Sequence, residues 1–271
     1  MSFKNYKTLF FLLLMTHSLF AAFEPKGIGT AYLAAGSAGR AGTNRAFTVF
    51  LNPAKLVWNT DTGVRLFYKN YYGIENLNQM SLEARFPVWG QPFAIGINRY
   101  GISSYIESEL RAGSAFRLFD ALDLGFSANM YGVFLKNYGH SYAFGFTLAA
   151  VYKIFEHTQA AFTVENLNEP ELGQAKEKIP LSAALGFSYF PVRNVEVLID
   201  LVKEEDYDFD FRSGIAFKPL SWTTVRFGFK TIVKSYSAGF SINYGQFDLG
   251  YAFEYHTALG GSNSLSVGYV F

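Results

Sequence analysis

The chain has 271 residues, a net charge of +1, no cysteine, and 18% aromatic residues, including 29 Phe and 18 Tyr. The near-zero net charge excludes a basic field for nucleic acid, and the lack of Cys excludes disulfides, thiolate metal sites and thiol catalysis. The aromatic content fits either the core of a thick β-sandwich or the aromatic girdles of a membrane β-barrel.

The N-terminus predicts a secretory signal peptide over residues 1–22. Lys4 and Lys7 precede an almost wholly apolar run at residues 8–20, and two alanines follow that run. A basic start, a short apolar run and small residues are typical of a signal peptide, and a spanning helix needs about 20 apolar residues. No later segment has 18 consecutive apolar residues. An exported chain that remains in a membrane without such a helix must be a closed barrel, because lipid satisfies no backbone hydrogen bonds.

Residues 23–62 have a different character, since they are rich in Gly and Ala and lack a two-residue period. We expect Asn52 and Pro53 to start a tight turn, in which the Asn side chain caps free N–H groups and Pro takes the first helical position. The segment has the right size for a plug in the periplasmic end of a barrel, and the alternative is an ordinary turn leading into the first strand. We expect Arg40, Arg45 and Lys55 to pair with Glu83, Asp123 or Asp248.

From residue 63 onward the hydrophobic pattern has a period of two. At the C-terminus, Leu265, Val267, Tyr269 and Phe271 alternate with small or polar residues. This alternation is typical of strands with one apolar face, and an amphipathic helix cannot produce it. The pattern predicts an all-β antiparallel transmembrane barrel of about fourteen strands, with twelve as the alternative, near residues 63–72, 79–87, 92–100, 107–119, 122–135, 140–154, 158–165, 179–190, 194–203, 207–217, 221–231, 235–244, 246–255 and 263–271.

The connections between these strands alternate in length. Every second one is tight, as at Glu156 and His157 or at Gly245 and Gln246, and the others are longer and more polar, with 166–178 the longest. Short turns belong on the periplasmic side of an outer-membrane barrel and longer loops on the outside. The sequence therefore predicts that both chain termini lie on the periplasmic side.

The opposite face of the predicted strands carries charges of both signs. Such a face does not suit the core of a sandwich or a soluble periplasmic β-protein, but it suits the lumen of a barrel. The mixture of positive and negative charges indicates a lumen stabilised by ion pairs rather than a ring of like charges that selects ions. The lumen-facing charges that we predict are Arg65, Glu83, Arg85, Arg111, Arg117, Asp123, Arg226, Asp248 and Glu254.

The sequence offers no catalytic constellation. His140 and His256 fall at predicted outer loops and His157 at an inner turn, so these side chains cannot converge on one site. There is no metal-ligand spacing and no phosphate-binding glycine loop after a strand. We expect a protein that is not an enzyme and that uses no cofactor and no metal.

Short motifs in residues 23–62 resemble the N-terminal signature of the FadL-type fatty-acid transporters and the related PorV/PorQ-type barrels. The matching pieces are Gly39, Arg40, Ala41 and Gly42, then Ala46 and Phe47, and then Asn52, Pro53 and Ala54. The last strand, which ends in Tyr269, Val270 and Phe271, resembles the terminal strand that the outer-membrane assembly machinery recognises. Lys55 stands where these families often have Gly.

The resemblance implies an outer-membrane location and one of two functions. The first is transport of hydrophobic solutes through a barrel with an N-terminal plug. The second is a non-transporting scaffold or carrier for a secretion or surface-attachment system. An apolar tunnel favours transport, whereas a filled lumen with an apolar outer rim favours the scaffold. Expected partners are outer-membrane lipid, the assembly machinery, and a hydrophobic ligand or secretion-system proteins, and no nucleic acid.

Overall fold

The computed structural model describes residue 23 and residues 26–58, 61–174, 176–205 and 207–271. The predicted signal peptide lies outside these described residues. Within them, no helix is both long enough and apolar enough to pass through a bilayer.

Fourteen antiparallel strands close into a barrel, as the alternation predicts, and the twelve-strand alternative is wrong. The barrel strands are β1 (Gly63–Asn70), β2 (Asn78–Val88), β3 (Gln91–Ile102), β4 (Tyr105–Phe119), β5 (Leu122–Leu135), β6 (Gly139–Phe155), β7 (Thr158–Glu165), β10 (Ser182–Val192), β11 (Val195–Glu204), β12 (Asp210–Leu220), β13 (Thr223–Lys230), β14 (Ser235–Tyr244), β15 (Phe247–His256) and β16 (Gly260–Val270). Two short strands, β8 (Glu171–Leu172) and β9 (Glu177–Lys178), form a hairpin in the connection between β7 and β10. Each barrel strand pairs with its neighbour in sequence along the barrel, and β1 pairs with β16 to close it.

The two ends of the barrel differ in their connections. At one end, which we call the turn end, six two-residue turns join the strands, and β1 begins and β16 ends there. At the other, the loop end, all connections except that between β3 and β4 are longer, and the longest runs from β7 to β10. Several predicted boundaries at the loop end are wrong, with the starts of β10, β12 and β16 each displaced by three residues. The β3–β4 connection contains only Ser103 and Ser104, and β12 starts at Asp210, so Asp208 lies outside the strand.

The two faces of each strand differ as the two-residue period predicts. In β1 the burial alternates strictly, with Leu66 57% exposed on the outer face and its neighbour Phe67 3% exposed on the inner face. The outer face of β6 carries Phe144, Phe146 and Leu148, all more than half exposed. The barrel therefore presents a continuous apolar outer surface, which is the surface that transmembrane barrels turn toward lipid.

The part of the chain before β1 is not a strand. It contains helix α1 (Thr30–Ala34), helix α2 (Thr48–Leu51) and a 3-10 helix (Pro53–Trp58). These short elements contact inner-face residues of strands on opposite sides of the barrel, for example Ser237 of β14 and Asp123 of β5. Residues 26–58, which we call the lumen segment, therefore lie within the barrel.

Candidate functional site: the occupied lumen

The inner wall of the barrel is shaped by glycines that leave room for the lumen segment. A Cβ atom placed on any of these glycines would approach segment atoms to 3.0 Å or less, which folded proteins essentially never show. The strands thus lack side chains where the segment passes. These wall glycines are Gly96, Gly125, Gly186, Gly214, Gly228, Gly239 and Gly250.

Residues 27–42, the small-residue half of the segment, run along β11 to β16 with backbone against backbone. A Cβ atom on Gly228 would lie 1.9 Å from the Gly36 nitrogen, and one on Gly36, which has φ +68°, would lie 2.3 Å from the Phe229 nitrogen. Only two glycines allow this approach. Gly36 N donates to Ser237 Oγ at 3.0 Å, and that hydroxyl donates to the Ala34 carbonyl at 3.1 Å.

Arg40 and Asp200 form the main polar anchor of the small-residue half. The Asp200 carboxylate, which is fully buried on β11, accepts from Gly39 N at 3.1 Å and from Arg40 N at 3.2 Å. The Arg40 guanidinium lies 3.5 Å from Asp200 and 3.7 Å from Glu165, and its Nε donates to Thr163 Oγ1 at 3.0 Å. A buried carboxylate and a buried guanidinium are tolerable only because each is paired and hydrogen-bonded.

Residues 47–58, the aromatic half of the segment, pack large side chains toward β1 to β5. Phe47 is fully buried and meets Phe67 edge to face with the ring centroids 5.9 Å apart. Val49 N donates to Glu83 Oε2 at 3.0 Å, and Arg111 Nη1 donates to the Phe50 carbonyl at 3.1 Å. This half therefore fills the lumen with its own side chains.

Asn52 and Lys55 connect the two halves. Asn52 Oδ1 accepts from Ala54 N at 3.0 Å and so caps the 3-10 helix that Pro53 begins, while Asn52 Nδ2 donates to the Arg40 carbonyl at 2.9 Å. Lys55 Nζ donates to the Gly39 carbonyl at 3.2 Å and lies 5.8 Å from the centre of the Trp58 ring. The Gly39–Gly42 and Asn52–Ala54 motifs are thus one hydrogen-bonded unit.

Lys55 is fully buried in this unit. Burial disfavours its charged form and lowers its pKa to about 8, although the carboxylates of Glu196, Asp200 and Glu83 act in the opposite direction. For the Lys55 ammonium group, burial therefore outweighs the attraction of the neighbouring carboxylates.

The predicted pairings between segment and wall are wrong for Arg40 and Lys55. Arg40 pairs with Asp200 and Glu165 rather than with Glu83, Asp123 or Asp248, and Lys55 donates to a carbonyl. Asp123 instead accepts from Trp58 Nε1 at 2.8 Å and from Arg117 Nε at 2.8 Å. A charged side chain of one strand is more often satisfied by a strand neighbour or by segment backbone than by a segment cation.

The structure places the other predicted lumen charges as follows. Arg111 lies 2.6 Å from Glu109 and 2.9 Å from Glu165, and Glu254 lies between Lys69 at 3.0 Å and Lys230 at 2.6 Å. Arg85 lies 3.9 Å from Glu83, and Arg65 lies 3.9 Å from Asp248. Arg226 donates to Ser241 Oγ at 2.6 Å. Arg117 is half exposed at the turn end, beyond the segment.

Tyr269 and Phe271 lie away from the lumen, at the turn end of β16. The Tyr269 ring meets those of Phe247 and Phe271 with the centroids 5.1 and 5.0 Å apart. Phe271 is 69% exposed, and its N–H donates to the Thr62 carbonyl at 2.9 Å. The two residues are part of the apolar outer surface.

The sequence did not single out four wall carboxylates that contact the lumen segment: Asp200, Glu165, Glu196 and Glu107, the last 2.6 Å from Lys26. Glu196 accepts from Thr43 N at 2.8 Å and from Thr43 Oγ1 at 2.9 Å, so it holds the segment near the turn end. Glu196 and Asp200 share the inner face of β11 with Leu198 and Val202. The alternation of inward and outward residues along β11 could have identified both carboxylates. However, the inner face of β11 also carries apolar residues, so the contrast between its two faces is weak.

A cavity of about 90 Å³ remains between the segment and the wall on the loop-end side. It is lined by four cations and four carboxylates, together with Phe23, Tyr32, Tyr131 and other residues. An apolar cavity of about 150 Å³ holds benzene, whereas this space is smaller and lined by charged groups, so it suits a few waters rather than a hydrocarbon. The charged lining residues are Lys26, Arg40, Arg111, Arg212, Glu107, Glu109, Glu165 and Glu204.

No protein-family model and no curated protein matches the sequence. Solved structures do match the fold. The Ralstonia pickettii toluene transporter TbuX has a TM-score of 0.70 at 12% identity, covering 92% of this chain and 100% of that one. The CymD monoaromatic hydrocarbon channel has a TM-score of 0.67 at 14% identity, covering 92% and 99% of the two chains. A Pseudomonas aeruginosa FadL homologue has a TM-score of 0.64 at 13% identity, with the same coverage.

The chain has a FadL-like barrel fold. The match extends over nearly the whole length of both chains. At these identities the similarity establishes the fold alone. The FadL-like fold is the one that the N-terminal motifs predict.

Proposed function

We propose that this FadL-like barrel resides in the outer membrane and transports hydrophobic solutes, with the lumen segment as a displaceable plug. The observation that carries the proposal is the FadL-like barrel fold, which extends over nearly the whole chain. The segment meets the wall through packed side chains, hydrogen bonds and ion pairs and is not a strand of the sheet. Two of the structures with this fold are named as a toluene transporter and a monoaromatic hydrocarbon channel. In this proposal the turn end faces the periplasm, as short turns do in such barrels.

The small polar cavity means that an apolar solute requires a displacement of the segment. A hydrocarbon cannot replace the hydrogen bonds of the ionised side chains that line the cavity, and leaving them unpaired costs several kcal/mol. The solute must therefore pass where the segment has moved. This consequence makes the proposal testable by locking the segment in place.

A single disulfide provides that lock, because the chain has no native cysteine. A Cβ atom on Gly250 would lie 3.3 Å from Thr30 Cβ, close to the separation of about 3.5–4.5 Å that a disulfide requires. In proteoliposomes, the Thr30→Cys/Gly250→Cys variant should take up labelled toluene when reduced and not when oxidised. The Thr30→Cys single variant is the control and should be insensitive to oxidation. Equal uptake by both redox forms of the double variant would contradict the displaceable plug.

A second measurement tests the plug directly. Deletion of residues 26–50 removes the polar anchors and the buried aromatic rings, so single-channel conductance in planar bilayers should rise. A deleted protein that folds into a heat-modifiable barrel with unchanged conductance would show that the segment does not obstruct the lumen.

The alternative function is a non-transporting outer-membrane scaffold for secretion or surface attachment. It is favoured by the polar 90 Å³ cavity and by exposed apolar side chains at the loop end, such as Phe209 at 62% and Tyr138 at 85%. In that case neither redox form of the disulfide variant takes up toluene, and the deletion alone raises conductance. Uptake by the reduced protein decides between the two functions.

We also propose that Tyr269 and Phe271 form the assembly signal for the outer-membrane assembly machinery. Both side chains lie on the outer surface at the end of the closing strand, where a recognition partner can reach them before the barrel closes. Deletion of Phe271 should slow insertion into the outer membrane and increase degradation by proteases. A normal yield of inserted, heat-modifiable protein would contradict the assignment.

A further inference from the structure

A second cavity, of about 50 Å³, lies between the lumen segment and β1, β13, β14, β15 and β16 near the turn end. Polar residues dominate its lining. The segment contributes Thr30, Ala31, Asn44 and Ala46, and the wall contributes Arg65, Thr224, Arg226, Ser241, Asn243, Asp248, Ser266 and Val267. By the measure in which one water needs about 10–15 Å³, the cavity has room for about three to five waters or for one small oxyanion.

The guanidinium of Arg65 is the decisive group in this cavity. Arg65 is 7% exposed, and its Nε and Nη1 atoms are buried without a hydrogen-bond partner among the described residues. Its Nη2 lies 3.9 Å from Asp248, and Glu83, its register partner on β2, lies 3.9 Å from Arg85. Neither carboxylate supplies the Arg65 Nε and Nη1 atoms with a hydrogen bond. A guanidinium edge is a planar fork that binds carboxylate or phosphate oxygens through two parallel hydrogen bonds.

The rest of the lining supplies further donors and a net positive charge. Arg226 Nη1 donates to Ser241 Oγ at 2.6 Å, and Thr30 N donates to Ser266 Oγ at 3.2 Å. Both serine oxygens act as acceptors in these bonds, which leaves each hydroxyl hydrogen to point toward a further acceptor. With two arginines and one aspartate in the lining, a single bound anion neutralises the cavity.

We propose that this cavity is a binding site for a small oxyanion, a phosphate or carboxylate group, held by Arg65 and Arg226. Because its walls come from both the segment and the barrel, a bound oxyanion joins the two and strengthens the seating of the segment at the turn end. Asp248, which lines the cavity, has a side chain that is 24% exposed. The site does not depend on which solute the barrel transports.

Calorimetric titration of the refolded full chain in a neutral detergent with inorganic phosphate, at constant ionic strength, tests the site. We expect saturable binding at one site per chain. Arg226→Gln should weaken it at least about tenfold, because a hydrogen bond from a charged donor is lost. Asp248→Asn should tighten it, since a competing negative charge disappears. Arg117→Gln, which removes an exposed charge elsewhere at the turn end, is the matched control and should leave binding within about twofold.

A second arm distinguishes a free ion from the head group of an amphiphile. Displacement of phosphate by dodecyl phosphate at much lower concentrations identifies a head-group site, whereas equal affinities identify a site for the free ion, and both outcomes support the proposal. Arg65→Gln should abolish binding, and Arg226→Gln keeps the test decisive if the Arg65 variant does not fold. Absence of saturable binding, or binding that ignores Arg226→Gln and Asp248→Asn, would show that the cavity holds water only and would overturn the proposal.

Discussion

The two halves of the lumen segment meet the barrel wall in different ways. The small-residue half approaches the backbone of β13 so closely that both Gly36 and Gly228 must lack a side chain. The aromatic half contributes fully buried Phe47 and nearly buried Phe50 to the lumen. Wall glycines admit both halves, since Gly96 faces Phe50 and Gly125 faces the Ala54 backbone, but only the aromatic half adds large rings to the lumen. The residues that allow the lumen to be filled therefore lie both in the barrel wall and in the lumen segment.

The difference predicts that the two halves are unequally stable. The small-residue half depends on few polar anchors, because glycine and alanine bury little apolar area. The aromatic half buries large rings and supports the first half through Asn52 and Lys55. Amide hydrogen exchange of residues 27–42 and 47–58 measures the two halves separately.

The largest expected effect follows from Asp200→Ala. The substitution leaves the buried Arg40 guanidinium and the N–H groups of Gly39 and Arg40 without their acceptor. Removing one partner of a buried pair costs about 3–5 kcal/mol, so exchange of residues 27–42 should accelerate strongly while residues 47–58 stay protected. Asp120→Ala, in an exposed turn, is the control. Unchanged protection of both halves would remove Asp200 as the anchor.

Gly228→Ala should have the next largest effect. Its Cβ atom would lie 1.9 Å from the Gly36 nitrogen, and backbone cannot give way as a flexible side chain does. Overpacking of this kind costs about 1–3 kcal/mol, so the small-residue half should lose protection. Gly132→Ala is the matched control, because its nearest neighbour is the Tyr142 ring at 3.1 Å. Equal exchange in the two variants would contradict the close approach.

Lys55 should make the seating of the segment depend on pH. Its pKa is about 8 in place and takes the ordinary value of 10.5 once the segment is released. Between these values the released segment binds the additional proton, so seating strengthens as pH rises, by up to about 1.4 kcal/mol per pH unit. Below pH 8 the Lys55 contribution is constant. Lys55→Met should abolish the part of the pH dependence of exchange found between pH 8 and 10.5, and an identical pH profile in both proteins would exclude Lys55 as its source.

The smallest expected effect is that of Asn52→Ala. Loss of the cap on Ala54 N costs about 1 kcal/mol, and the bond to the Arg40 carbonyl is lost with it. Because this bond joins the halves, both should exchange modestly faster. Asn78→Ala, at the outer rim of β2, serves as the control. A loss confined to residues 47–58 would show that Asn52 acts only as a cap.

The fold could be predicted almost completely from the sequence. Strict alternation in strands such as β1 and β16 fixes which face is apolar, and a closed barrel follows because strand edges are not tolerated in lipid. Boundaries were less predictable at the loop end, where β3 and β4 continue through polar residues to a two-residue turn. There, pairing with the neighbouring strand outweighs the composition of the connection.

The lumen site was only partly predictable. The motif residues Gly39, Arg40 and Asn52 could be selected as a group from the sequence, but their partners could not. Pairing in a lumen depends on which residues of distant strands lie at the same position along the barrel axis. Asp200 stands 160 positions from Arg40 in the chain. Sequence spacing carries no information about such a contact.

By itself, the sequence determined the two faces of each strand, the rhythm of short turns and longer loops, and the distinct character of the lumen segment, because these follow from local periodicity and turn chemistry. Only the tertiary structure showed that Gly228 leaves room for the backbone of Gly36 and that Asp200 anchors Arg40. It also showed that Arg65 lines a small cavity and has two buried donor atoms without a hydrogen-bond partner. Those features arise when barrel closure brings distant strands around a common interior. Their physical cause is the need to fill a lumen and pair its buried charges, which no single strand meets alone.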